Sequence, residues 1–230
     1  MSKHTARKRA QAIFDNLLKM SVPSWSDDAK EMPFALPKQS GLLRMKKFRF
    51  QLMYQWLSRY FVPGRVADVG GGKGLLAYLL QQQGWQATVI DPVFQTLPNK
   101  YKDIASNKRV LISSAEQVPH IDNEFEPDMA EQFDLVIGIH AHGCNIKIID
   151  GVRKFDRECV LMPCCIIDEP LYPRLGVHWL ECLVDYALKQ GLSVYPFRLH
   201  FKGQNIGFYA HSRDDRPREN LALSRLCRSV

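Results

Sequence analysis

The residues with the clearest chemistry lie in one glycine-rich turn and in the aspartate that follows the next apolar segment. The turn reads D-V-G-G-G-K-G over residues 68–74, and Asp91 closes the apolar stretch 86–90. Glycines let a backbone pass close beneath a ligand, and a carboxylate offers two acceptor oxygens to hydroxyl or amine donors. This pattern is typical of a phosphate or cofactor cradle in doubly wound α/β folds.

Spacing separates three interpretations of this turn. A phosphate-binding P-loop requires G-x-x-x-x-G-K-[ST], but Lys73 is followed by Gly74 and position 67 is alanine. A dinucleotide fingerprint requires a third Gly or Ala where this chain has Leu75. The pattern D-x-G-x-G-x-G fits at every place. Each residue alone also has a plain structural explanation, as a turn former or a helix-terminal acid, so the inference depends on the whole set.

This pattern resembles motif I of the class I S-adenosylmethionine-dependent methyltransferases. The resemblance implies that S-adenosylmethionine is the cofactor and that the glycines lie beneath its methionine end. It implies that Asp68 receives the amino group, directly or through water, and that Asp91 binds the ribose hydroxyls. It also implies that the segment after the third strand borders the adenine. The expected cofactor-binding residues are Asp68, Gly70, Gly72, Gly74, Asp91, Ala115, Glu116 and His140.

A second group of chemically capable residues follows the fourth and fifth predicted strands. The segments I-H-A-H-G-C-N and M-P-C-C both end strands, so they meet at the carboxyl edge of a parallel sheet. His140, and after it His142, are our candidate catalytic residues, because imidazole can act as a general base. We predict no metal, since H-x-H-x-C is too tight for chelation without a second ligand pair. A cysteine nucleophile is also disfavoured, and pocket lining is the simplest role for Cys164 and Cys165.

These two segments bear a narrower resemblance to the "LHACG…PCC" pattern of a methyltransferase subgroup that includes tRNA ribose 2′-O-methyltransferases. This chain has His142 where the subgroup has cysteine. Members of the subgroup often carry M-x-x-K-K-x-H-E before motif I, and the segment from Met45 is similar but lacks the His-Glu. The resemblance implies an RNA substrate, tRNA or rRNA, with Lys46, Lys47 and Arg49 as candidate contacts to its phosphates.

The elements that must position these residues alternate between strand and helix from residue 64. Strands that are apolar throughout and alternate with helices indicate a parallel sheet covered on both faces. We therefore predict an α/β, Rossmann-like, doubly wound, mostly parallel seven-stranded sheet with an antiparallel last strand, plus an N-terminal helical extension. The predicted helices span 5–20, 42–60, 73–83, 95–106, 145–155 and 175–190. The predicted strands are RVADVG, QATVIDP, RVLISS, FDLVIGIH, ECVLMPCC, LSVYPFRLHF and IGFYAHS.

The domain division follows the charge. Residues 1–60 carry 12 Lys and Arg against 4 Asp and Glu, whereas residues 61–230 carry 19 against 20. We predict a basic helical extension over 1–60, a methyltransferase domain over 61–211 and a charged tail over 212–230. The basic extension is able to attract RNA, although a solvated helix face explains the charge equally well.

Cellular location and partners follow from composition. No apolar run is long enough for a membrane span, the basic N-terminus lacks a secretory apolar region, and the six cysteines lack a disulfide framework. We expect a cytoplasmic enzyme without a membrane partner, although a mitochondrial presequence and the oligomeric state stay open.

Two alternatives to an RNA methyltransferase remain. One is a small-molecule or protein methyltransferase whose N-terminal helices form a lid, and the other is a non-catalytic cofactor-binding subunit.

Overall fold

The apolar runs of the sequence form the strands of one central sheet. The computed structural model describes residues 3–21 and 44–212. The strands are β1 (Arg65–Val69), β2 (Gln86–Ile90), β3 (Lys100–Lys102), β4 (Arg109–Leu111), β5 (His120–Ile121), β6 (Leu135–Ile139), β7 (Glu158–Met162), β8 (Leu192–Arg198) and β9 (Ile206–Ser212). The α-helices are α1 (Lys3–Ser21), α2 (Arg49–Tyr60), α3 (Leu75–Gln81), α4 (Asn145–Phe155) and α5 (Trp179–Lys189).

The main sheet has seven strands in the order β5-β2-β1-β6-β7-β9-β8. The contacts among β5, β2, β1, β6 and β7 are all parallel, and β9 runs antiparallel to both β7 and β8. This confirms the predicted fold class, including the antiparallel last strand. The C-terminal ends of the parallel strands form one edge of the sheet, here called the carboxyl edge, and the loops that leave it carry the candidate site.

Both faces of the sheet are buried, as apolar parallel strands require. Along β6, Val136 points into one core and Leu135 and Ile137 into the other. Helices α1, α4 and α5 cover the first face, and α2 and α3 cover the second. The strand ends are therefore fixed from two sides, which gives the loops of the carboxyl edge a rigid support.

The N-terminal elements belong to these same cores. Leu17 of α1 is fully buried beside α5, and the apolar stripe of α2 packs against the sheet and α3. The predicted helix over 42–60 begins later than expected, with a 3₁₀ turn at Lys46–Phe48 that leads into α2. Because the stripe of α2 covers a face of the sheet, this helix does not form a lid across the carboxyl edge. Residues 22–43 and the predicted charged tail beyond residue 212 lie outside the described residues.

The prediction was wrong between the second and fourth sheet strands. Residues 95–106 do not form a helix, because β3 pairs with β4 in a separate antiparallel hairpin. The carboxylate of Asp103 accepts hydrogen bonds from the amide and hydroxyl of Ser106, and Asn107 is left-handed with φ 57°. Such local bonds compete with a helix and favour a turn. The third strand of the main sheet is therefore His120–Ile121 and not RVLISS.

None of the described helices combines the length and apolar character needed to cross a bilayer.

Candidate active site

The glycine-rich turn between β1 and α3 is shaped by close contacts beneath it. A Cβ atom at Gly71 would lie 2.7 Å from Oδ2 of Asp68, and one at Gly70 would lie 3.1 Å from Cβ of Ala141. Gly70 also has φ 64°, in the left-handed region that favours glycine. Side chains at these positions would fill the turn from below, so the sequence keeps its backbone open to a ligand.

Asp68 lies at the end of β1 and is only 1% exposed. Its Oδ2 atom is buried and has no hydrogen-bond partner. Burial raises the pKa of this carboxyl to about 7. The backbone hydrogen bond from Ala77 acts in the opposite direction but is the smaller effect. A buried carboxylate oxygen without a partner, directly beneath a glycine turn, suits the amino group of a bound amino-acid moiety. This atom fits the role that the sequence predicted for Asp68.

Asp91 lies at the end of β2, beside the same turn. Its Oδ2 accepts the amide hydrogen of Gly72 at 3.0 Å, and its Oδ1 accepts that of Val93 at 3.0 Å. These bonds fix the orientation of the carboxylate and leave one lone pair on each oxygen for vicinal hydroxyl groups. Its role as the ribose ligand stays a prediction, and the position at the strand end agrees with it.

Ala115 and Glu116, predicted to border the adenine of the cofactor, lie elsewhere relative to the sheet than expected. Ala115 and Glu116 were expected directly after the third sheet strand, but they form an exposed turn before it. The residue that follows the third strand is Asp122, whose carboxylate contacts the ring of His120. Phe94 stacks edge-on against that ring at 5.1 Å between centroids. These three residues were not predicted, because the third strand lies about ten residues later than the sequence indicated.

His140 follows β6 with a left-handed backbone, φ 57°. Its amide donates to the carbonyl of Met162 at 3.0 Å, and its Nε2 lies 3.3 Å from the carbonyl oxygen of Gln204 in the β8–β9 turn. Nε2 therefore carries the hydrogen, since a carbonyl can only accept. Burial lowers the pKa of His140 to about 4, helped by the nearby charges of Lys46 and Arg49.

This electrostatic setting bears on the predicted catalytic role of His140. A general base is most effective when its pKa lies near the working pH. The lowered pKa keeps the imidazole neutral at pH 7 but makes it a weak proton acceptor. His140 is thus better suited to orient an acceptor by hydrogen bonding than to remove a strongly held proton.

His142 lies beside the two cysteines that follow β7. Its Nε2 is 3.2 Å from Sγ of Cys164, and the sulfur atoms of Cys164 and Cys165 are 3.4 Å apart. Burial raises the pKa of Cys164 to about 11, and its contact with Cys165 acts in the same direction. A thiol with this pKa is protonated at neutral pH, which argues against an unassisted cysteine nucleophile.

The loops after β6 and β7 are joined by polar contacts. The carboxylate of Glu169, which is 3% exposed, accepts the amide hydrogens of Asn145 at 2.9 Å and Ile146 at 3.2 Å at the start of α4. The amide of Gly143 donates to the carbonyl of Ile167 at 3.0 Å. Glu169 therefore caps a helix from a distant part of the chain and fixes one loop against the other. No motif surrounds Glu169 in the sequence, so its role as a cap could not be predicted.

The basic segment Lys46–Arg49 lies beside this edge. Arg44 exchanges backbone hydrogen bonds with the β8–β9 turn, donating to His200 at 3.0 Å and accepting from Lys202 at 2.8 Å. Lys46 and Lys47 are exposed, and Arg49 is half-buried, which lowers its pKa. The structure therefore brings two of the three predicted substrate contacts, Lys46 and Arg49, within electrostatic range of His140.

Comparisons with known proteins agree with this geometry. Residues 45–143 match a family model described as a methyltransferase domain. No curated protein sequence is significantly similar to this chain.

Three solved structures illustrate the similarity of fold. Magnesium protoporphyrin IX methyltransferase from Synechocystis is 13% identical, with a TM-score of 0.42, over 86% of this chain and 90% of that one. The 1,6-didemethyltoxoflavin-N1-methyltransferase of Burkholderia thailandensis is 14% identical, with a TM-score of 0.43, over 93% and 92%. Precorrin-6y C5,15-methyltransferase from Geobacter metallireducens is 14% identical, with a TM-score of 0.43, over 81% and 95%. These likenesses are too distant to bear on the substrate, and they give no support to the narrower RNA subgroup.

Three independent features therefore agree: the matched methyltransferase domain, the seven-stranded sheet with its reversed β9, and the glycine turn above an unpaired carboxylate oxygen. Residues 45–143 are a methyltransferase domain, and the enzyme is an S-adenosylmethionine-dependent methyltransferase with S-adenosylmethionine as its cofactor.

Proposed function

We propose that this enzyme methylates RNA, with the phosphates of the substrate bound by Lys46, Lys47 and Arg49. The observation that carries the proposal is the position of Lys46 and Arg49, whose charges act on His140 at the carboxyl edge. A polyanion held there would present an acceptor group to the crevice between the β1 and β6 loops. Lysine and arginine supply most of the affinity for nucleic acid by displacing counterions from phosphates.

The N-terminal helix supports the same proposal. The positive charge of Arg9 lowers the pKa of His178, which caps the start of α5, in addition to the lowering by burial. Because α5 follows β7 through the loop of the carboxyl edge, Arg9 and the segment at Lys46 lie at the same edge of the sheet, although their helices cover opposite faces. Within the basic extension, the contacts with RNA are proposed for Lys8 and Arg9, whose side chains are exposed.

The chain's own residues would act chiefly by alignment. Bound S-adenosylmethionine supplies an activated methyl group on a sulfonium centre. Asp68 would hold the amino group of the cofactor and Asp91 its ribose. The close approach of Gly70 to Ala141 would set the distance between the cofactor loop and the acceptor side. Neutral His140 would orient the acceptor oxygen or nitrogen. Correct alignment and exclusion of water alone account for on the order of 7 kcal/mol or more in such reactions.

A small apolar acceptor is the second candidate. Exposed apolar side chains lie on the loops that follow β2 and β7, both at the carboxyl edge: Val93, Phe94, Ile167, Leu175 and Val177. An apolar surface of this kind suits a flat small molecule better than a phosphate backbone. Such an enzyme would retain its activity when the basic residues are neutralised.

The test is methyl transfer from labelled S-adenosylmethionine to separated RNA and metabolite fractions. We expect label in RNA, and we expect it to fall at least tenfold in the triple variant Lys46→Gln, Lys47→Gln, Arg49→Gln. The matched control removes the same charge far from the carboxyl edge, at Arg59, Lys154 and Lys189 in the last turns of α2, α4 and α5. If three phosphate contacts are lost, the slope of log affinity against log salt should decrease by about 2 in the first variant only. Label confined to the metabolite fraction, or equal effects of both variants, would contradict the RNA proposal.

A further inference from the structure

We propose that His142, Cys164 and Cys165 form a binding site for a thiophilic metal ion, with Zn²⁺ as the ion that fits best. The three ligand atoms, Nε2 and two Sγ atoms, all lie within 4.8 Å of one another. The proposal concerns metal binding and does not depend on the identity of the methyl acceptor. It also revises the expectation from sequence, which predicted no metal.

The distances are close to those of a zinc site. Zinc–sulfur bonds of about 2.3 Å and zinc–nitrogen bonds of about 2.0–2.1 Å in a tetrahedron separate two sulfur atoms by roughly 3.8 Å and nitrogen from sulfur by roughly 3.6 Å. The observed separations are 3.4 Å between Cys164 and Cys165 and 3.2 Å between His142 and Cys164. These two pairs each need to open by about 0.4 Å to admit the ion, which small side-chain rotations supply. The third pair, His142 and Cys165, lies within 4.8 Å.

The loops that carry these ligands are already fixed against each other. Glu169 caps α4, which begins three residues after His142, and the amide of Gly143 donates to the carbonyl of Ile167. A Cβ atom at Gly143 would lie 3.0 Å from Cβ of Asp168, so the two loops touch at this point. Metal affinity depends strongly on such support, because a preformed site has little conformational entropy left to lose. The chain therefore holds the ligands together before any ion arrives.

The ligand set also indicates the type of ion and its coordination. Two thiolates and one imidazole suit Zn²⁺ or Cu⁺ and do not suit Mg²⁺ or Ca²⁺. Three protein ligands leave the fourth tetrahedral position for water or a substrate atom, as in catalytic zinc sites. His142 is exposed, and Ala141 beside it packs against Gly70 of the cofactor turn. The open position would thus lie in the same crevice as the cofactor, and binding would release the two thiol protons to solvent.

The experiment measures metal binding to the full-length, reduced protein after removal of metal with a chelator. Zn²⁺ is titrated in competition with a chromophoric chelator, and Co²⁺ is used in parallel because its visible spectrum reports tetrahedral geometry and thiolate ligation. We expect one Zn²⁺ per chain and a thiolate-to-cobalt absorption in the wild-type protein. This spectrum tests the ligand type even if a variant fails to fold.

The variants His142→Ala, Cys164→Ser and Cys165→Ser should each weaken Zn²⁺ binding on the order of 100-fold or more. Cys182→Ser is the matched control, since Cys182 is a half-buried thiol on α5 outside the cluster, and it should bind like the wild type. Binding of Cu⁺ with loss in the same three variants would support the site and change only the preferred ion. Absence of stoichiometric binding of either ion, or binding that survives Cys164→Ser with Cys165→Ser, would overturn the proposal.

Discussion

Replacing Asp68 with asparagine is expected to change the stability of the cofactor-free protein in a direction that depends on pH. Burial raises the pKa of Asp68 from 3.8 to about 7. Since the folded protein holds this proton more tightly than the unfolded chain, the free energy of unfolding falls as the pH rises from about 4 to about 7. A pKa difference of about three pH units corresponds to roughly 4 kcal/mol of destabilisation above pH 7.

Asparagine removes this buried charge but introduces amide hydrogens where Oδ2 has no partner. An unpaired buried donor costs about 1–3 kcal/mol. The Asp68→Asn variant should therefore be more stable than the wild type by about 1–3 kcal/mol at pH 8, and less stable by about the same amount at pH 4. The sign reversal distinguishes a titrating buried carboxyl from an ordinary packing defect.

The same substitution should weaken cofactor binding. A hydrogen bond to a charged partner contributes about 1.5–3 kcal/mol, so the affinity for S-adenosylmethionine should fall by roughly 10- to 150-fold. Because binding uses the ionised carboxylate, the affinity of the wild type should rise up to about tenfold per pH unit from pH 5.5 toward 7. The Asp68→Asn variant should lack this pH dependence.

Urea unfolding at several pH values measures the first effect, and titration calorimetry with S-adenosylmethionine measures the second. Asp128→Asn is the control, because Asp128 is exposed and its ion pair with Lys154 at 2.6 Å contributes at most about 1 kcal/mol. A loss of stability in Asp68→Asn that is equal at all pH values would refute the reasoning about the buried charge. Unchanged cofactor affinity would refute the role of Asp68 in the site.

Two further substitutions test the supports of the site. Gly70→Ala should lower the free energy of unfolding by about 1–2 kcal/mol and also weaken cofactor binding, because the new Cβ would press on Ala141. Gly84→Ala is the control, since Gly84 has φ 82° and no atom within 4 Å of an added Cβ. This control should show only the loss of stability in urea unfolding. Equal cofactor affinity in the two variants would contradict the contact argument. Glu169→Ala leaves the first amides of α4 without an acceptor and should lower stability by about 3 kcal/mol; a loss below 1 kcal/mol would mean that water replaces the carboxylate.

Much of the fold was predictable because its strongest signals are local. The runs at β6 and β7 are apolar throughout, which indicates strands buried on both faces, and both strands are present. The segment 95–106 misled the prediction because its apolar spacing resembles a helix. There the side chain of Asp103 stabilises a turn, and Gln51 of α2 bonds to the backbone of Lys102 and Ile104, so tertiary contacts decide the hairpin.

The candidate site was predictable only where its residues are close in sequence. The turn from Asp68 to Gly74 is contiguous, so spacing alone indicated a cofactor cradle. His142 and Cys164 are 22 positions apart, and Gln204 is 64 positions from His140. Contacts over such separations depend on strand order and on caps such as Glu169, which leave no periodic signal in a single sequence.

The left-handed residues of the chain connect backbone geometry with the site. Among the described residues, the non-glycine residues with positive φ are Asn107, His140, Asp156 and Asp168. Asn107 and Asp156 end a hairpin turn and a helix, where such residues are common.

His140 and Asp168 instead lie on the two loops that face each other at the carboxyl edge. A left-handed residue with a side chain costs about 1–2 kcal/mol of stability. The bonds from His140 to Met162 and Gln204, and from Gly143 to Ile167, offset that cost. Because these loops begin at neighbouring parallel strands, His142 lies close to the cysteines after β7. The adjacency of β6 and β7 therefore places both the left-handed residues and the cluster of soft ligands at one edge of the sheet.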